Sequence, residues 1–145
     1  MYSKITTDIW EIIIPKDWEE KPSNSFEYYE SKNGENGIYI GALKADEKTN
    51  ENKLVRHIID LGKGKVIEMK DCKFKILEEK YFSKNNTTIG ILDTYDKKRK
   101  YRIFSKCIAK NNTIIRMNIH NYKCEDYQNT VNEYFEIQDS FVFVK

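Results

Sequence analysis

Cysteine and histidine are scarce in this sequence, at three and two copies, so their spacing is the first place to look for chemistry. His120 and Cys124 are separated by three residues at a strand-to-helix boundary, and Cys72 and Cys107 would complete a Cys₃His zinc set. Zinc ribbons take two ligands from one short knuckle, and no C-x₂₋₄-C occurs here. As a nucleophile pair, Cys124 and His120 lack a local oxyanion donor and a third, orienting group. His57 lies beside an apolar helix stripe and reads as a boundary residue. The expectation is three reduced, unligated thiols and no metal or cofactor.

Nuclease chemistry asks for acids that hold Mg²⁺, often with E-x-K on a strand, and Glu78-Glu79-Lys80 has that form. The pattern [DE]-x-K occurs eight times, however, as at Glu19, Asp46, Asp71 and Asp96, so it carries no information. G-x-x-x-x-G-K, G-x-G-x-x-G and G-x-S-x-G are all absent. Gly62-Lys63-Gly64-Lys65 follows a helix, which is the wrong context for a phosphate cradle. Catalysis is the minority reading.

Charge is laid out unevenly. From Asp96 to Lys110 one acid faces Lys97, Lys98, Arg99, Lys100, Arg102, Lys106 and Lys110. From Glu125 to Asp139 there are five acids and no base, and Asp17 to Glu35 holds six acids against Lys21 and Lys32. Each run is ordinarily a solvated face. Read functionally, the chain has a basic hairpin and separate acidic surfaces. Tyr95 and Tyr101 flank the basic hairpin and would be its stacking partners for nucleic acid, unless strand alternation buries them.

The elements that carry these residues follow from periodicity. Asp8–Ile14 is a β-branched strand stopped by Pro15. Phe26–Glu30 and Ile38–Ile40 flank the turn-forming pairs Asn33-Gly34 and Asn36-Gly37. Leu54, Val55, Ile58 and Ile59 share one face of a helix over Thr49–Leu61, with Thr49 or Asn50 as the cap and Gly62 and Gly64 as stops. Phe74–Phe82, Thr88–Tyr95, Tyr101–Ala109 and Thr113–His120 are strands joined by short polar turns, hence an antiparallel meander. Cys124–Gln138 is predicted as a second helix, with Tyr127, Val131, Tyr134 and Phe135 inward. Its opposite face carries Glu125, Asp126, Glu133 and Glu136, the expected partner-binding residues. Asp139–Val144 closes as a strand. The expected core is Ile12, Ile14, Tyr39, Ile58, Ile76, Ile91, Ile103, Ile115 and Phe135, with Trp18 anchoring the end of the first strand.

The 145 residues fit a single domain, and a net charge of +2 is too small for a protein living on bulk phosphate attraction. No apolar run is long enough for a membrane span, and no basic segment precedes an apolar one at the N-terminus. A cytoplasmic protein is expected. Codon-biased use of Lys, Ile, Asn and Tyr suggests a low-GC bacterium. The fold class is α+β: a mainly antiparallel sheet of about six to seven strands with two helices.

The opening Ile12-Ile13-Ile14-Pro15-Lys16-Asp17-Trp18 resembles the strand and P-x-x-W start of PsbP-like domains, and the order of later elements, down to Gln138-Asp139-Ser140-Phe141, is similar over nearly the whole chain. That family includes a photosystem extrinsic subunit, a Ran-binding nuclear-transport factor and bacterial effector chaperones. The resemblance implies an α-β-α sandwich that binds proteins rather than catalysing, and it transfers no functional residue. The expected function is an immunity protein that binds and neutralises a delivered toxin, and the acidic surfaces point to a basic one. The alternatives are a chaperone or adaptor for a secreted effector, which predicts an exposed apolar groove, and an unrecognised enzyme or nucleic-acid-binding protein.

Overall fold

The computed structural model describes residues 2–24, 26–125 and 132–144. Ten strands and two helices follow the order β1 (Tyr2–Thr6), β2 (Trp10–Pro15), β3 (Glu19–Lys21), β4 (Glu27–Glu30), β5 (Asn36–Lys44), α1 (Glu51–Glu68), β6 (Lys75–Lys84), β7 (Thr87–Asp96), β8 (Tyr101–Lys110), β9 (Thr113–Asn121), α2 (Asn132–Ser140) and β10 (Val142–Phe143). A seven-stranded sheet runs β3-β4-β5-β9-β8-β7-β6, and a three-stranded sheet runs β1-β2-β10. Every strand pairing among the described residues is antiparallel. The expected meander is present as β6 to β9. Its two tight turns place Asn85-Asn86 and Asn111-Asn112 at positive φ, the geometry that two-residue hairpin loops require.

The large sheet separates two apolar layers. On one side Trp10, Ile12 and Ile14 of β2, with Ile137 of α2 and Phe141 just beyond it, pack against Ile38, Ile91, Ile108, Ile115 and Met117. On the other side Val55, Ile58 and Ile59 of α1 pack against Leu92, Cys107, Ala109 and Ile114. A side chain of this size, fully buried, contributes roughly 1.5–3 kcal/mol, so these two layers dominate stability. Gly90 lets α1 approach closely: a Cβ there would lie 2.6 Å from a Val55 methyl.

Several expectations need correction. Helix α1 runs through Gly62 and Gly64 to Glu68, because its inward stripe continues to the buried Val66. It starts as predicted, with the Asn50 side chain accepting from the Lys53 amide at 3.1 Å. Strands β1 and β3 were not anticipated; β1 is polar and only partly buried, so its alternation is faint. Ile76 is exposed rather than core, because a bulge between Ile76 and Glu78 shifts the register of edge strand β6. Phe135 is exposed as well, while Tyr134 and Ile137 point inward, so the helix is rotated relative to the predicted phase. Cys124 and Glu125 lie outside any helix, and Asp126, Tyr127 and Val131 fall outside the described residues. The last strand is only Val142–Phe143, since α2 continues to Ser140. The other expected core isoleucines are buried, and Tyr39 is half-buried.

Candidate interaction face

Helix α1 covers the β7 and β8 part of its side of the large sheet and leaves the β4, β5 and β9 part open. Two glycines shape that open part. A Cβ at Gly37 of β5 would lie 2.6 Å from the Tyr28 ring, and one at Gly41 would collide with Phe26. Without side chains at these positions, the two β4-side rings lie flat over β5. Tyr28 stacks on its register partner Tyr39 at 4.2 Å between centroids. The series continues across the strands. Tyr39 meets His120 edge-on at 5.3 Å, His120 stacks with Tyr122 at 5.8 Å, and Tyr101 lies 5.2 Å from Tyr122. Phe74 ends it, 5.4 Å from Tyr101. Offset and edge-to-face contacts at these spacings hold rings in fixed orientations.

The result is an aromatic shelf on a sheet face, with polar groups among the rings. The Tyr28 hydroxyl donates to Glu30 Oε2 at 2.6 Å, and burial together with this bond pushes its pKa up. The Tyr101 hydroxyl lies 2.6 Å from Nδ1 of His120. Burial holds the His120 imidazole down near pKa 4, so the ring is neutral at physiological pH. Ser105 donates to Asn118 at 2.6 Å where the shelf meets α1. Phe26 and Leu43, at 42% and 45% exposed, carry the apolar surface outward, and Tyr122 is also exposed. The Lys123–Glu35 pair at 3.5 Å and Glu30 mark the acidic border.

The residues first considered for chemistry are put to other uses. Cys107 and Cys124 are buried and Cys72 is half-buried. Burial pushes the Cys107 thiol up to about 12, which removes its nucleophilic form. Among the described residues, no three His, Cys, Asp or Glu side chains come together as a metal site. His57 is exposed on α1. Glu79 accepts from the Tyr81 hydroxyl at 2.8 Å and from Lys63 at 3.0 Å, which lowers its carboxyl; Glu78 pairs with Lys80 at 3.6 Å. These contacts staple edge strand β6 to α1 rather than gathering acids for a cation.

The basic hairpin is organised from beneath by Asp96. Burial pushes its carboxyl up, but backbone amides of Arg99, Lys73 and Lys98 outweigh that and hold it below the ordinary value. Tyr95 is buried and its hydroxyl donates to the Cys124 carbonyl at 2.8 Å, so it offers no stacking surface to a nucleic acid. Tyr101 belongs to the shelf. Of the expected partner residues, Glu125 pairs with Lys100 at 2.6 Å and Glu136 is exposed on α2, on the far side of the large sheet from the shelf. Asp126 lies outside the described residues, as does the Glu133 side chain. The shelf itself was missed by sequence reading. Its signal was Gly37 and Gly41, four apart in one strand, beneath the rings of Tyr28 and Phe26.

No protein-family model and no curated protein sequence matches this chain. Its fold is PsbP-like. The solution structure of cyanobacterial PsbP (CyanoP) from Synechocystis sp. PCC 6803 superposes with a TM-score of 0.64, covering 99% of this chain and 91% of that one. Sequence identity is 11%, so the likeness is one of fold. No described helix is long and apolar enough to cross a membrane.

Proposed function

We propose that this chain is a diverged member of the PsbP-like family acting as a non-catalytic protein-binding domain, with the aromatic shelf as its docking face. The observation that carries this reading is the part of the sheet face beyond α1, where half-buried Tyr39, Tyr101 and His120 and exposed Tyr122 are held in fixed mutual contact with buried Tyr28 stacked against Tyr39. Preordered tyrosines lose little conformational entropy on binding and are enriched among residues that dominate interface energy. The shelf's chemistry is weak as a catalyst: its histidine is neutral, and its tyrosine hydroxyls are held above their ordinary pKa by burial.

The partner that fits is a basic toxin domain, and the protein is its cytoplasmic bacterial immunity factor. Glu30 and Glu35 border the shelf, and the acidic α2 surface at Glu136 offers long-range attraction without contact. Exposed Phe26 and Leu43 favour a second reading, a chaperone that shelters apolar effector segments on the same face. The two differ in salt response. Affinity for a basic toxin falls as ionic strength rises, whereas apolar sheltering is insensitive to it. Titration with a basic toxin domain at low and high salt therefore tests the immunity reading. Salt-insensitive binding overturns it in favour of the chaperone.

A further inference from the structure

A groove of about 460 Å³ lies on the opposite side of the large sheet, between strands β6 to β8 and the end of α2 with β10. It shares no residue with the shelf. The strand register arranges its floor in rows. Lys80, Ile91 and Lys106 form one row, and Phe82, Ile89 and Ile108 form the next. Lys84 and Lys110 stand at the hairpin end, and Phe141, Val142 and Phe143 form the wall. Side chains two residues apart on a strand are spaced about 7 Å, so the apolar floor separates two cationic ends about 14 Å apart.

The ends differ. Lys106 is buried and already occupied, donating to the Gln138 carbonyl at 2.8 Å, and Lys80 pairs with Glu78 at 3.6 Å. Lys84 and Lys110 have no ion pair among the described residues. Asp139 is the one acid lining the groove. Strands β7 and β8 are paired on both sides, so a peptide backbone laid on the floor would find no hydrogen-bonding partners. An acyl chain needs none.

We propose that this groove binds a single-chain amphiphile with an anionic head, its carboxylate at Lys84 and Lys110 and its chain between the exposed Phe82 and Val142, against Phe143, above the buried Ile89 and Ile108. The test is titration of the purified protein with sodium decanoate, followed by methyl NMR and calorimetry, with decanol as the uncharged control. Saturable shifts at Ile89, Ile108 and Val142, with decanol at least tenfold weaker, are expected. The variant Lys84→Glu/Lys110→Glu, which changes two side chains outside the core, should lose at least tenfold in decanoate affinity and leave that for decanol unchanged. Equal binding of the two ligands, shifts confined to the shelf, or no saturable binding below the micelle concentration would overturn the proposal. An acidic peptide that shifts these methyls where decanoate does not would overturn it too.

Discussion

The Tyr101 hydroxyl and Nδ1 of His120 lie 2.6 Å apart, joining β8 to β9 at the centre of the aromatic shelf. That contact requires a neutral imidazole when the hydroxyl donates, and burial supplies it by lowering the His120 pKa to about 4. In the unfolded chain the same group titrates near its ordinary value of about 6.5. Between those values the unfolded state binds the extra proton, so stability falls as pH drops from 6.5 to 4. His120→Gln, which keeps an acceptor for Tyr101, should remove this fall, on the order of 2 kcal/mol. Urea midpoints at pH 7, 5.5 and 4.5 check it; parallel losses in both proteins would refute it.

The two shelf glycines should respond differently to alanine. At Gly37 the new methyl meets the buried Tyr28 ring, which is tethered through its hydroxyl to Glu30. Gly37→Ala should cost about 1–3 kcal/mol by overpacking. At Gly41 it meets Phe26, a half-exposed ring free to swing into solvent. Gly41→Ala should cost less than about 1 kcal/mol. Denaturant titrations of both variants decide this, and equal costs would show that Phe26 is as constrained as Tyr28.

Arg102 holds Asp93 with paired hydrogen bonds, Nε to Oδ1 at 2.9 Å and Nη2 to Oδ2, both residues buried on neighbouring strands. Removing one partner strands a charge out of water. Asp93→Ala is expected to cost about 3–5 kcal/mol, and adding Arg102→Met should restore part of it. A double variant less stable than Asp93→Ala would argue against the pair as the source.

Trp18 sits below one-tenth exposure in the layer that includes Ile12, Ile14 and Tyr29. Its truncation, Trp18→Ala, should lower stability by about 3–5 kcal/mol. Thermal melts provide the measurement, and a loss below 1 kcal/mol would move Trp18 from anchor to surface.

The meander was legible because its cues are local: ten-residue runs rich in β-branched and aromatic residues, and Asn-Asn turns that tolerate positive φ. The start of α1 was legible through Asn50 for the same reason. Its end was not, because a glycine lowers helix propensity by only about 1 kcal/mol, less than the burial of Val66 returns. Ile76 was misplaced by one bulge, which period-two reasoning cannot detect. Phe135 shows the same weakness in a helix: it was placed inward beside Tyr134, but only Tyr134 is buried, because the width of the inward stripe is set by what lies beneath. The acidic residues drew attention because charge is visible in a sequence. The shelf escaped it because Tyr28, Tyr39, Tyr101 and His120 come from four strands and meet only through pairings such as β5 with β9.

The central claim is that the shelf, and not the acidic surface of α2, contacts the partner. The most direct measurement is NMR perturbation mapping while the domain is titrated with a basic toxin domain of the kind the proposed function requires, repeated on Tyr39→Ala/Tyr122→Ala and on Glu136→Lys. The account predicts shifts centred on Tyr39, His120 and Tyr122, at least a tenfold affinity loss in the tyrosine variant, and only slowed association in the charge variant. Shifts confined to α2, with affinity lost in Glu136→Lys and retained in the tyrosine variant, would contradict it.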